Sequence, residues 1–481
     1  MEQIINFLEP IVVNINTYLS NYILIFLLVG TGLYFSVCTR FVQVRCFGEG
    51  MKRVFGGIKL FGGKNKGGLS SFQALATAIA AQVGTGNIVG SSGAILVGGP
   101  GAIFWMWIIA FLGMATIYAE AVLAQETKIT DANGEIHGGP VYYIKKAYNG
   151  KFGKILAGFF AVSIILALGF IGAMVQSNSI AQTSSAAFGI EPWVIGLILT
   201  AICAVIFIGG IQRIASVAEK IVPIMAVLYI ILGIVILIFN IKVIPETFAL
   251  IFKYAFKPQA LLGGGFGAAI AAAISQGAKR GLFSNEAGMG STPHAHAQAN
   301  VNKPHDQGVV AMIGVFIDTF IVLTITALVV ISTLYAGNGP LSGAYENGSL
   351  ISGFAINNTE VSGASAMQLA VGEHFGAGTG NILIAICLMF FAFTTIIGWN
   401  FFAKINIQYL FKNNKIATVV FSIISICFIF LGSCINKVNL VWELADMFNN
   451  LMVIPNVLGL IPLGAIVAIS AKNAKKENKL K

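Results

Sequence analysis

The chain has 481 residues, of which 57% are hydrophobic and 10% charged, and its formal net charge is +10, whereas an ordinary soluble protein carries roughly 25% charged residues. That balance excludes a water-soluble globular body, which has no interior large enough for so many apolar side chains, and it is the reverse of the composition that keeps chains disordered. Six scattered cysteines exclude a disulfide scaffold, no basic face with interleaved aromatics points to nucleic acid, and the lipid bilayer is left as the solvent.

In chain order, the N-terminus MEQIINFLEP lacks a basic stretch before its first apolar run, so no cleavable signal peptide is expected and the first helix should be retained. Runs of about twenty apolar residues are long enough to cross the hydrocarbon core as helices. Eleven such runs lie near 19–38, 71–95, 101–124, 154–187, 193–211, 215–240, 262–298, 309–335, 378–408, 416–435 and 441–470. The expected fold class is an all-α membrane protein with eleven transmembrane helices. Cys203, Cys387, Cys427 and Cys434 sit within these runs and are expected to be free thiols, the last two packed in the core.

Short cytoplasmic loops carry the excess of Lys and Arg, which orients the map. Seven basic residues fall between the first and second runs (Arg40, Arg45, Lys52, Arg53, Lys59, Lys64 and Lys66). Alternating from there, one side holds 23 of the 29 basic residues and the other holds four, Lys242, Lys253, Lys257 and Lys437. Segment 336–377 has none and is placed outside. The chain is therefore predicted to sit in the plasma membrane with its N-terminus outside and its C-terminus in the cytoplasm.

Setting aside an N-terminal helix and loop (1–70) and a basic tail (471–481), the remaining runs divide into five (71–240) and five (241–470, with its preceding outer segment). An odd number of crossings per half makes the second half enter from the opposite side, the arrangement of an inverted repeat. The first helix of each half shares a grammar of small residues, a Gln, a glycine-containing interruption and an Asn: ATAIAAQVGTGNIVG from Ala76 and AAAISQGAKRGLFSNEAG from Ala271. Both first helices are therefore expected to be broken, one at Gly84-Thr85-Gly86 and the other around Gly277.

Interrupted helices release backbone groups that must find partners or face a cavity. Free amides near Thr85 and Gly86 suit a carboxylate, and free carbonyls near Ala80 and Val83 suit a cation, with Asn87 offering a further oxygen. Gln82 and Gln276, the glutamines ahead of the two interruptions, are placed with the substrate site. In the ninth run Phe391, Thr395 and Trp399 share a helix face. The hydroxyls of Thr394 and Thr395 could complete an oxygen-only cation site, or bond back to their own helix, and Trp399 could cap a small pocket. Gln176 could bind an ammonium or carboxylate, or act as helix-helix glue.

Charges within the runs, at Glu120, Lys279, Arg280, Glu286 and Asp318, need partners. Lys279 and Glu286 share a face at i,i+7, so a cytoplasmic gate built from Lys279, Arg280 and Glu286 is one reading and a structural pair the other. His294 and His296 are poorly spaced for a metal. No nucleotide-binding loop, nucleophile elbow or zincin motif is present, which disfavours ATP-driven transport and enzymatic chemistry.

Several long segments together, QVGTGNIVG (82–90), GGPGAIFWMWIIAFLGMATIYAEA (98–121), GGPVYYI (138–144), GAKRGLFSNEAGMGSTPHAHA (277–297) and TTIIGWN (394–400), make the chain resemble the alanine or glycine:cation symporter family over about 19–470. The resemblance implies a leucine-transporter-type fold with one extra N-terminal helix, import of a small neutral amino acid such as alanine or glycine, and Na⁺ as the coupling ion. It implies a substrate carboxylate at Thr85 and Gly86, polar contacts from Gln176 and the backbone near Gln276 and Gly277, a size limit at Trp399, and sodium at Ala80, Val83, Thr394 and Thr395. It calls for no nucleic acid and no protein partner. The alternatives are glutamine or serine as main substrate, or proton coupling through Glu120, Glu286 or Asp318.

Overall fold

The computed structural model describes residues 2–56, 68–131, 134–208, 210–256, 267–342, 355–356, 359–435 and 439–478. The start of the seventh predicted span (262–266) and the basic residues Lys59, Lys64, Lys66, Lys257 and Lys437 of the charge map lie outside these residues, as does much of the polar segment 341–360.

The described chain is mostly helical, and eight of its helices are long and apolar enough to cross a membrane. They are α1 (Phe7–Cys38), α5 (Gly101–Thr127), α7 (Gly150–Phe188), α9 (Gln212–Phe239), α13 (Pro304–Tyr335), α15 (Ala377–Leu410), α16 (Lys415–Cys434) and α17 (Asn439–Asn473). Each coincides with one of the predicted runs. Between them lie the amphipathic α2 (Phe47–Phe55), α3 (Ser71–Gln82), α4 (Gly86–Gly98), α6 (Pro140–Ala147), α8 (Pro192–Ile208), α10 (Ile244–Phe256), α11 (Gly267–Asn285), α12 (Pro293–Ala297) and α14 (Gly363–Phe375). The three remaining predicted runs are thus a shorter helix, α8, and two that are each divided, α3 with α4 and α11 with α12.

The two divided runs lie against each other in opposite senses. Leu69, just ahead of α3, is bridged to the chain just after α12: its amide donates to Gln298 O at 2.9 Å, and Asn300 N–H donates to Leu69 O at 2.8 Å. At the other end α4 packs on α11. A capping box fixes the start of α3, where the Ser70 hydroxyl accepts from Gln73 N and Gln73 Oε1 accepts from Ser70 N, both at 3.0 Å.

Around this pair stand α5 and α13, packed on each other, and α7 and α15, likewise packed on each other. Helix α5 is buried over most of its length, whereas α7 leaves a stripe of Phe152, Ile155, Phe159 and Val162 exposed on its outer side. The outward faces of α8, α9 and α16 expose Ile198, Ile202, Val227, Ile231, Val419 and Ile423, the side chains that a bilayer would cover. Cys427 and Cys434 lie exposed on that lipid-type face of α16, not in the core as the apolar run had suggested. Helix α1 is tied to α17 by Asn16 Nδ2, which donates to Glu443 Oε2 at 2.6 Å, and by Asn450 Nδ2, which donates to Ser20 Oγ at 2.9 Å.

Candidate functional site

The first break falls where the glycines of 84–86 placed it. Val83 leaves the helix with φ −80° and ψ 91°. In an unbroken helix Gly84 N–H would donate to Ala80 O, Thr85 N–H to Ala81 O and Asn87 N–H to Val83 O. Here Gly84 N–H donates to the Asn87 side-chain oxygen at 3.0 Å, Thr85 N–H to Gln176 Oε1 at 3.1 Å, and Asn87 N–H to Gly84 O at 3.2 Å. The carbonyls of Ala80 and Val83 are released.

Both released carbonyls point to one place on α15. Thr395 Oγ1 is 3.1 Å from Ala80 O, 3.4 Å from Val83 O and 3.1 Å from Phe391 O. A hydroxyl carries one hydrogen, so three carbonyl oxygens around it form a surplus of acceptors, a donor set suited to a hard cation. Gly84 makes the approach possible, since a Cβ there would lie 2.3 Å from Thr395 Oγ1. Thr394 faces elsewhere: its hydroxyl donates to Phe391 O at 2.9 Å and touches Met225 Sδ at 3.4 Å. The carbonyl of Phe391, a helix-internal group with no sequence signature, was not among the predicted ligands.

Next to this cluster three buried polar atoms have no hydrogen-bond partner among the described residues: Thr85 Oγ1, Gln176 Nε2 and Gln82 Oε1. Buried polar atoms are costly to leave unpaired, and Thr85 and Gln176 meet at the first break. Gln82 reaches the other divided run, donating from Nε2 to Asn285 O at 2.6 Å. Gly86 lies against the end of α11, where a Cβ would be 3.0 Å from Ser284 Cα and 3.1 Å from the Phe283 ring.

The second break differs from the expectation. Helix α11 runs without interruption through Gln276 and Gly277 and ends at Asn285. Gly277 is a packing contact: a Cβ there would lie 2.6 Å from Trp105 Cβ and 2.9 Å from Ala102 O of α5. The break spans Glu286 to Thr292, with Glu286 (φ 57°), Gly288 (φ 92°) and Gly290 (φ 81°) in the left-handed region. It is held from other helices. Glu120 accepts from Gly288 N at 3.2 Å, Gly290 N at 3.0 Å and Asn456 Nδ2 at 2.6 Å, and Tyr143 OH donates to Asn456 Oδ1.

Trp399 is buried at 1% exposure beside this break. Its indole N–H donates to Glu286 Oε1 at 2.5 Å, its ring stands edge-on to Phe283 at 5.7 Å between centroids, and it fills the space above Gly172 of α7. The Ser291 hydroxyl donates to the other oxygen of Glu286. Glu286 therefore does not meet Lys279, and the pair suggested by their i,i+7 spacing is not formed, because the helix ends between them. Lys279 Nζ lies 3.0 Å from Asp446 and 3.7 Å from Glu443, and Arg280 lies 3.2 Å from Asp446 and over the Trp442 ring at 4.7 Å.

Lys279, Arg280 and Gln276 line a cavity of about 680 Å³ together with Gln182, Glu360 and Trp442. The cavity is lined as well by Ser362, Gly363 and Ala364, so the cluster lies beside residues that the charge map assigns to the outside, whereas the gate was expected on the cytoplasmic side. Phe283 lies between cavity and site, touching Gly86, Trp399 and Trp442 (ring centroids 5.1 Å). Sequence reasoning missed Phe283 because one aromatic in a helix that is apolar overall carries no signal.

Asp318 on α13 completes the polar surroundings. Its carboxylate accepts from Asn87 Nδ2 at 2.7 Å, Ser284 Oγ at 2.8 Å and Thr319 Oγ1 at 2.9 Å, all neutral donors from both divided runs and from α13 itself. His294 bonds Ser291 O and Asn406, and His296 bonds Gln307, so both histidines are absorbed in packing contacts.

Comparison with known proteins places the chain in a family. The family model described as "Sodium:alanine symporter family" matches residues 5–481. The sodium/alanine symporter AgcS of Methanococcus maripaludis is 39% identical over 470 residues, covering 97% of this chain and 98% of that protein. The "probable sodium/glutamine symporter GlnT" of Bacillus subtilis is 39% identical over 479 residues, covering 100% and 92%. Among solved structures, that of MhsT in complex with L-phenylalanine superposes with a TM-score of 0.55 at 15% identity, covering 85% of this chain and 98% of that one, a likeness of leucine-transporter-type fold. The end-to-end match, at an identity well above that of a shared fold alone, means that the chain belongs to the sodium:alanine symporter family.

Proposed function

We propose that the protein imports small neutral amino acids, alanine and glycine foremost, together with Na⁺ by alternating access. As a member of its family it is a multi-pass membrane transporter of amino acids and not an enzyme. The observation that carries the sodium reading is the convergence of the Ala80, Val83 and Phe391 carbonyls on Thr395 Oγ1. The Thr394 hydroxyl would add a fifth oxygen only by leaving its contact with Met225. The substrate carboxylate would meet the Thr85 hydroxyl, the Gly86 backbone and the unpaired Gln176 Nε2, with Gln82 Oε1 left as an acceptor for the ammonium. Phe283 and Trp399 would limit side-chain size, and the carbonyls ending α11 would receive the ammonium.

Because Gln276 and Gly277 lie within α11, their backbone is occupied by helix bonding; Gln276 would serve the entry cavity. Lys279 and Arg280 with Asp446 and Glu443 would form a gate between α11 and α17 on the outer side. In this reading eleven crossings divide into α1, within the N-terminal segment 1–70, and two five-helix halves (71–240 and 241–470) of opposite orientation, followed by a tail 471–481, with the N-terminus outside and the C-terminus inside. One Na⁺ carried with a zwitterion moves one charge. A potential of about 100 mV then contributes roughly 2.3 kcal/mol and a tenfold Na⁺ gradient about 1.4 kcal/mol, enough for accumulation of several hundredfold.

Proteoliposome uptake of an amino-acid panel, with Na⁺ and pH gradients imposed separately, tests this. Concentrative alanine or glycine uptake is expected with the Na⁺ gradient alone. A second reading, proton coupling, draws on Asp318, whose described hydrogen-bond donors are all neutral; concentrative uptake driven by the pH gradient alone would favour it.

A further inference from the structure

On the side where the predicted map places the cytoplasm, α2 docks on the start of α13. Cys46 immediately precedes α2 and Glu49 stands in its first turn, so the i,i+3 spacing turns both toward one face. His305, second residue of α13, faces them. One ligand atom from each of Cys46, Glu49 and His305 lies within 4.8 Å of the other two. Bond lengths to zinc of about 2.3 Å for sulfur and 2.0–2.2 Å for nitrogen and oxygen put tetrahedral ligands about 3.3–3.6 Å apart, a contraction that side-chain rotation supplies. Glu49 Oε2 and His305 Nε2 are already 3.5 Å apart.

The outer partners that orient metal ligands are also in place. His305 Nδ1 bonds the Tyr118 hydroxyl of α5 at 2.7 Å, leaving Nε2 toward Glu49. Glu49 Oε1 is taken by Arg53 at 3.0 Å, leaving Oε2 toward His305, and Arg53 is balanced by Asp306 at 2.8 Å. A thiolate and a carboxylate together neutralise a divalent cation, and a neutral imidazole adds no charge. Cys46 and His305 are buried, whereas the Glu49 side chain is 20% exposed and gives a path from water.

We infer that Cys46, Glu49 and His305 form a site for a divalent, thiolate-accepting metal ion of the zinc class, which staples α2 to α13. Three protein ligands leave one position to water. The site is remote from the substrate reading and does not rest on it. Burial holds the Cys46 thiol above its usual range, with Arg45 pulling the other way. Metal binding therefore releases a proton and weakens as pH falls.

The test uses the full-length transporter, purified in detergent and stripped of metal, titrated with Zn²⁺ against a chromophoric chelator. The wild type should hold one more tightly bound Zn²⁺ per chain than Cys46→Ser, and Glu49→Gln should weaken that equivalent at least tenfold. Subtracting the variant removes any zinc held by the separate hairpin group Asp131, Glu135 and His137. In parallel, Zn²⁺ should slow maleimide alkylation of Cys46 in the wild type, reversibly on chelation, and not in Glu49→Gln. Equal zinc content in the wild type and a monodisperse Cys46→Ser protein would overturn the assignment, as would undiminished affinity in Glu49→Gln.

Discussion

The hydroxyl of Thr395, midway along α15, stands 3.1 Å from the carbonyl of Ala80, which the break after α3 has stripped of its helical donor. A side chain and a peptide oxygen 315 residues apart in sequence thus share one small polar locus. Helices α3 and α15 pack directly on each other around this point, and both pack on α9.

Thr395→Ala removes the oxygen on which the carbonyls converge. The Na⁺ concentration for half-maximal uptake should rise at least about tenfold, corresponding to ~1.4 kcal/mol, while Thr395→Ser stays near the wild type. An unchanged Na⁺ half-saturation in Thr395→Ala would remove the residue from the ion site.

Gly84→Ala tests the same locus from the other side. The added Cβ would fall 2.3 Å from Thr395 Oγ1, and overpacking of this kind costs about 1–3 kcal/mol. Na⁺-driven uptake should drop about tenfold or more in a protein that still inserts and purifies as a single species. Full uptake would show that the break tolerates a methyl group and that the two elements are not in functional contact.

Trp399→Ala opens space beside Phe283 and leaves Glu286 without its indole donor. Bulkier amino acids should become substrates, at a stability cost of about 3–5 kcal/mol, as for large aromatic truncations in cores. Trp399→Phe, which keeps most of the volume, should retain the small-residue profile. Competition by a panel of amino acids reads the result, and an unaltered profile in Trp399→Ala would count against its role in selectivity.

Asp446→Asn leaves Lys279 and Arg280 without their shared carboxylate, and breaking a buried pair is strongly destabilising to the contact it holds. The steady-state accumulation ratio should fall about fivefold or more through leak, with substrate still able to protect the protein against thermal unfolding. A ratio equal to wild type would make the ion pair structural only.

Composition and run length alone were sufficient to place the eight long apolar helices, because the bilayer requires long apolar segments whatever their neighbours. The first break was equally legible: Gly84, Thr85 and Gly86 are local helix breakers with polar residues attached. The second was not. Gly277 carries the same local signature and yet sits in a continuous helix against Trp105, while the true break at 286–292 is held by Glu120 from α5 and Asn456 from α17. Neither partner can be read from the sequence near the break. The charged residues followed the same rule. Spacing paired Lys279 with Glu286, but spacing speaks only while the helix continues, and once it ends each charge takes the partner that packing brings: Asp446 for Lys279 and Trp399 for Glu286. What the sequence determined by itself was therefore solvent, span and one flexible point, all local or summed properties of the chain. Tertiary structure alone decided which released carbonyls meet which hydroxyl and which buried charge is paired, because those depend on contacts between helices hundreds of residues apart.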